Sequence, residues 1–229
     1  MNKIVSAPQI DAANLNPLDA DGVYKQLGAI LVDPEASAQV KEAAVWKLCD
    51  LSRSEDNHLA LVEAGVHIQL GLLLVDKRAT DQVKQYAAGA LMNLSRNTGN
   101  HVALVKCRVY KQLGTLINDS NATEGAKERA AGALFLLSRN PDNCAALVKG
   151  GVHKQLGTLI NDSNATECAK ERAAQALTYL DQEASRAIDP GAIVLDNLDQ
   201  GASHAIDPGV IAFDNLDQEP PPGQCCTTM

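Results

Sequence analysis

Residues 109–134, VYKQLGTLINDSNATEGAKERAAGAL, return almost unchanged as VHKQLGTLINDSNATECAKERAAQAL at 152–177. Only Tyr110/His153, Gly125/Cys168 and Gly132/Gln175 differ. The step of 43 residues also runs backwards, to VHIQLGLLLVDKRATDQVKQYAAGAL from Val66 and VYKQLGAILVDPEASAQVKEAAVWKL from Val23. A fixed period of this size restricts the chain to stacked repeats. Each unit leaves an apolar face that only its neighbour can cover.

Within a unit, hydrophobic spacing divides the chain into three helical pieces. For the second unit these are a short one near 57–64, a second at about 66–75 and a longer third at 81–95. Val83, Ala87, Leu91 and Leu94 on the third piece form one stripe of period 3.6. The stripe recurs as Val40/Ala44/Leu48/Leu51, Ala126/Ala130/Leu134/Leu137 and Ala169/Ala173/Leu177/Leu180. Ser37, Thr80, Thr123 and Thr166 precede these helices, each a hydroxyl able to accept a first-turn amide. Asp81, Glu124 and Glu167 follow at the positive end of the dipole, and Arg53, Arg96 and Arg139 stand at the negative end. Gly22, Gly65 and the pair Gly150–Gly151 mark sharp turns before the second pieces. Arg108 fills that slot in the third unit and predicts a weaker turn there.

These boundaries give a lead-in at 1–17 and an array at 18–180. The array holds a partial unit 18–52 and full units 56–95, 99–138 and 142–180. The expected fold class is all-α, an α-solenoid of about three and a half three-helix repeats. Aromatic residues make up only 3% of the chain, so Ala and Leu must build the core, which suits close helix packing.

The segments AGVHIQLGLLL, VKQYAAGALMNLSRN and NHVALVKC, at this spacing over 18–180, resemble armadillo repeats. The resemblance implies a right-handed superhelix whose third helices line a concave groove. It also implies a non-enzymatic scaffold or adaptor that binds an extended segment of a partner protein there. In peptide-binding members a ladder of Asn on the third helices holds the partner backbone, often with a Trp one turn earlier. Here the ladder reads Asp50, Asn93, Leu136 and Tyr179, and the preceding slot Trp46, Gly89, Gly132 and Gln175. That departure argues against a nuclear-import type of adaptor. The substrate-binding portion of a ubiquitin-ligase system is the other alternative, because similar arrays accompany RING-like or U-box domains.

The candidate groove residues are Trp46, Asp50, Arg53, Tyr86, Asn93, Arg96, Arg129, Arg139 and Arg172, which lie beside the apolar stripe on the third helices. Arg and aromatic side chains are enriched at binding hot spots, so the expected partner is an acidic or mixed segment with an apolar anchor. A net charge of −8 and a pI near 5.1 argue against nucleic acid. Neither catalytic residues, cofactor nor metal is expected. His58 and His101 share a slot with Cys144, and His67 and His153 share one with Tyr24 and Tyr110, so these are packing or surface positions. The loop from Asp119 begins like a calcium loop, but it has Glu124 in place of the turn glycine and Ala130 in place of the closing Glu.

After the array a shorter period of 18 residues appears, LDQEASRAIDPGAIVLDN followed by LDQGASHAIDPGVIAFDN. Over 181–218 it predicts short helices near 190–199 and 208–218 that cap the array. The tail 219–229 ends in Cys226-Thr-Thr-Met229, the form of a farnesylation signal, with Cys225 placed for a second acyl chain. The six cysteines contain no C-x-x-C pair, and the first twenty residues hold no apolar run of signal-peptide length. The expectation is a cytoplasmic protein with reduced thiols, joined to a membrane only through that terminus.

Overall fold

The computed structural model describes residues 20–188. The lead-in, the expected capping helices and the Cys225–Cys226 terminus lie outside the described residues. Eleven α-helices and no strand are found among those described. The partial unit consists of α1 (Ala20–Val32) and α2 (Ala38–Leu51). Next come α3 (His58–Glu63), α4 (Val66–Val75) and α5 (Asp81–Arg96). The third unit is α6 (His101–Lys106), α7 (Val109–Ile117) and α8 (Glu124–Ser138). The fourth is α9 (Pro141–Lys149), α10 (Val152–Ile160) and α11 (Glu167–Ile188).

The second helices α1, α4, α7 and α10 stack in one layer, and the third helices α2, α5, α8 and α11 in another. Between the layers lies one continuous interior. Val83, Ala87, Leu91, Leu94, Ala126, Ala130, Leu134 and Leu137 are all buried, with Ala169, Ala173 and Leu180 in the last unit. Small Ala residues let the third helices approach closely, and each fully buried Leu contributes about 1.5–3 kcal/mol. The predicted caps form. Ser37, Thr80, Thr123 and Thr166 accept the amides of Val40, Val83, Ala126 and Ala169 at 3.1–3.3 Å.

Buried helix ends carry a cost, because the last carbonyls of a helix have no partner inside it. For α2, α5 and α8 the next unit supplies one. Asn57 Nδ2 donates to the Leu51 carbonyl at 2.8 Å, Asn100 Nδ2 to Leu94 at 3.0 Å and Asn143 Nδ2 to Leu137 at 2.9 Å. The neighbouring slot holds the following carbonyl: His58 Nε2 pairs with Ser52 O at 2.7 Å and His101 Nε2 with Ser95 O at 2.8 Å. Cys144 Sγ donates more weakly to Ser138 O at 3.3 Å. His101 Nδ1 accepts from Asn143 Nδ2 at 3.1 Å, so Nε2 carries the proton that Ser95 O receives. The amide–imidazole pair is therefore a seam between units.

A second seam is ionic. Each loop before a third helix is turned by an aspartate: Asp33, Asp76, Asp119 and Asp162 accept the amide two residues on at 2.9–3.0 Å. The second oxygen of Asp119 meets Lys84 Nζ of the preceding unit at 3.2 Å, and that of Asp162 meets Lys127 Nζ at 3.1 Å. Both oxygens of Asp119 are thus committed to structure, which is the capping use of the loop rather than the calcium one.

Three expectations need correction. Gly22 marks no turn: it lies inside α1, and among the described residues the left-handed glycines are Gly65 and Gly151. Arg108 does not weaken its turn; it takes the left-handed conformation with φ 58°, like Gly65 at 79° and Gly151 at 84°. Packing on both sides outweighs a local cost of about 1–2 kcal/mol for a residue with a Cβ. The last helix also extends beyond the unit drawn at 142–180: α11 runs to Ile188, and 181–188 contains neither Gly nor Pro.

No single described helix is long and apolar enough to cross a membrane. α4 nonetheless exposes Ile68, Leu72 and Val75, where the third and fourth units carry Lys, Thr and Asn.

Arg108→Gly is expected to stabilise the chain by about 1 kcal/mol, raising the thermal midpoint by about 2–4 °C; an unchanged or lower midpoint in calorimetry would refute the strain at this turn. The loop aspartates give a pH dependence. The Asn121 amide, together with Lys84, holds the Asp119 carboxyl below its ordinary value, as the Asn164 amide and Lys127 do for Asp162. A lowered folded pKa means stability that is complete above about pH 3.9 and is lost as pH falls through the folded value. Urea midpoints of wild type and the D119N/D162N double variant should differ at pH 7 and converge on acidification; a gap that stays constant would rule the carboxylates out.

Candidate concave binding surface

The third helices present a second face beside the buried stripe. Trp46 and Asp50 stand on it in α2, Tyr86 and Asn93 in α5, Arg129 in α8 and Arg172 in α11. Arg53, Arg96 and Arg139 lie exposed at the C-terminal ends of α2, α5 and α8, one per unit. α5 packs on α2 and α8, and α8 on α11, so the helices that carry these residues lie side by side across all four units.

Trp46 is 51% exposed, an unusual position for a large aromatic ring. Asp50 is exposed beside Lys47 at 3.5 Å. Asn93 is only 8% exposed, and its Nδ2 donates to Ser52 Oγ of the preceding unit at 3.1 Å. Ser52 in turn donates to the Cys49 carbonyl at 2.7 Å. The one amide remaining from the ladder is therefore engaged between units.

Arg129 and Arg172 do not project straight outward. Arg129 Nη1 donates to the Gly125 carbonyl at 3.1 Å, and its aliphatic stem lies over Gly89 of the previous unit. A Cβ at Gly89 would sit 3.1 Å from Arg129 Cδ and 3.3 Å from Cys49 Sγ. Arg172 lies over Gly132 and reaches Met92 Sδ at 3.5 Å, spanning a whole unit. A side chain at Gly132 would collide with that guanidinium. The glycines in the slot where Trp46 stands thus make room for arginines from the following unit. The two arginines rest on glycine, carbonyl and thioether.

The sequence pattern put Gly89 and Gly132 in the Trp46 slot and Leu136 and Tyr179 in the ladder, but none of them among the candidate groove residues, and it did not single out Phe135. Phe135 and Tyr179 have ring centroids 6.1 Å apart at 47°, with Tyr179 37% exposed and Leu136 half-buried next to them. The legible signal was the alternation of Gly with Arg one unit on, a small residue opposite a long one. The third helices accordingly carry an indole on α2, arginines from α8 and α11 laid over the glycines of the preceding units, and an aromatic pair across α8 and α11.

The histidines have local tasks. Beyond the seam pair His58 and His101, His67 is buried and burial pushes its imidazole below the usual value, the Val62 backbone opposing. His153 Nε2 lies 2.8 Å from Asp181 Oδ1 on the surface. Among the described residues no group of three or more His, Cys, Asp or Glu side chains is arranged to hold a metal ion.

No family model matches this chain, and no curated protein matches it in sequence. Solved structures do match. A designed armadillo repeat protein in complex with the peptide (KR)4 is 23% identical with a TM-score of 0.62, over 80% of this chain and 77% of that one. Computationally designed armadillo repeat proteins for modular peptide recognition match at 22% identity and TM-score 0.62, over 79% and 76%. An engineered protein matches at 23% identity and TM-score 0.63 over 72% of this chain, which spans 65% of that protein's length. The likeness establishes the fold as an armadillo-like α-solenoid.

Asn93→Ala is expected to destabilise the chain by about 1–2 kcal/mol, since it strips a buried Ser52 hydroxyl of its donor. Urea unfolding reads this directly, and a cost below about 0.3 kcal/mol would show that the amide is not engaged between units.

Proposed function

We propose that this chain is a non-enzymatic scaffold whose concave face binds an extended, acidic or mixed segment of a partner protein through an apolar anchor. The observation that carries the reading is the floor of the groove. Arg129 and Arg172 are laid along it over glycines, between the exposed Trp46 and the Phe135–Tyr179 pair. Stem packing has already fixed much of the arginines' conformation, so less rotamer entropy is lost when a carboxylate arrives. The rings offer area with few rotatable bonds, which suits an apolar anchor of the incoming segment.

The designed armadillo relative bound to (KR)4 supports the use of this fold for peptides. A basic peptide is not the ligand favoured here. Arginines repel it, and the Asn93 amide that would hold its backbone is bonded to Ser52. This chemistry separates the proposal from a nuclear-import adaptor.

Short synthetic peptides test the reading by fluorescence anisotropy. Peptides pairing an aromatic or Leu anchor with flanking Asp or Glu are expected to bind wild type in the micromolar range, about −8 kcal/mol. Arg129→Glu/Arg172→Glu and Trp46→Ala should each weaken binding at least about tenfold, while (KR)4 should bind poorly throughout. Preference for (KR)4, or indifference to all three substitutions, would remove the proposed groove.

A further inference from the structure

The charge of this chain is unevenly divided. Residues 20–188 carry nineteen Lys and Arg against nineteen Asp and Glu, so the array is formally neutral. After Arg186 no Lys or Arg follows, yet residues 189–219 contain six aspartates and Glu219. Nearly all of the net charge of −8 therefore belongs to the segment that follows α11. The same segment carries two apolar clusters, AIVL at 192–195 and VIAF at 210–213, each bracketed by acids in the repeated frame IDPG…DN. An acidic segment with apolar anchors is the ligand class that the groove floor favours, and it is attached to the groove-lining helix of the last unit.

We infer that the C-terminal segment 189–218 is an internal ligand of the concave groove, its aspartates against Arg129 and Arg172 and its apolar clusters against the exposed rings. This rests on the groove reading above and adds the regulation of that site: a partner must displace the chain's own segment. Reach is sufficient. Three helix-to-helix steps of about 8–10 Å separate α11 from α2, and eighteen residues extend to about 60 Å. Tethering raises the local concentration of such a segment to about the millimolar range, so even weak contacts fill the groove. The attraction is largely ionic and is screened by salt.

The test uses the full chain. Trp46 is its one tryptophan and lies in the groove, so quenching by acrylamide reports whether the groove is covered. A tail variant replaces the aspartates at 189, 196, 199, 207, 214 and 217 by Asn, with I193S and F213S. At low salt it is expected to quench about twofold more than wild type, and wild type should reach the same level near 1 M salt, where the screening length is about 3 Å. A synthetic peptide of residues 189–218 should bind the tail variant at least about tenfold more tightly than wild type. In the variant that binding should be lost on adding Arg129→Glu/Arg172→Glu.

Equal quenching and equal peptide affinity in the two proteins overturn the internal contact. If that peptide still binds both and still needs the arginines, the groove reading of the preceding subsection survives alone; if it binds neither, both fall. Protection of Trp46 that grows with protein concentration assigns the segment to a second copy and overturns the inference. So does protection that ignores the arginines and is abolished by I68S/L72S, which would place the segment on α4.

Discussion

α2, α5 and α8 end inside the stack, where water cannot serve their last carbonyls, and that constraint organises the rest of the molecule. The answer is always the next unit: an Asn side chain for one carbonyl and a His or Cys for the following one. Both donors sit at the entry to the first helix, so satisfying the carbonyls also sets where that helix begins. Removing a donor would leave a buried acceptor unpaired, which costs more than the bond contributes when made. Units joined in this way are not independent domains. They form one interior with a repeating hydrogen-bonded seam, to which the Lys84–Asp119 and Lys127–Asp162 pairs add an ionic rail.

A fixed stacking also fixes the outward face. Once α2, α5, α8 and α11 are held side by side, a residue at one slot is always flanked by the same slot of the next unit. Large and small residues can then be exchanged across units. Gly89 and Gly132 yield space that Arg129 and Arg172 occupy, so the arginine stems are seated on the neighbouring unit.

Much of the architecture was written in the period. The 43-residue step, the Ala/Leu stripe and the Ser or Thr before each third helix specified helix order, boundaries and the buried face, because these depend on contacts within one helix or between identical neighbours. Reading His58 and His101 as packing positions also agrees with their seam bonds, since a slot filled by Cys144 in the next unit needs only a donor to a carbonyl. Local inference went wrong at Gly22, which lies inside α1, and at Arg108. A preference of about 1–2 kcal/mol at Arg108 was outweighed by packing from both sides. At 180 the repeat changes but the helix does not, because the next eight residues contain no breaker.

By itself, then, the sequence determined the solenoid and its three-helix unit, both of which follow from periodicity. Tertiary structure decided how the polar side chains are spent. Asn93 looked like an amide ready for a ligand but is bonded to Ser52 forty-one positions earlier. Arg172 looked like a free surface charge but lies across Gly132 to Met92, eighty positions away. A period names equivalent positions, whereas the partner of a long polar side chain depends on distances between different units. Those distances exist only once the helices are stacked.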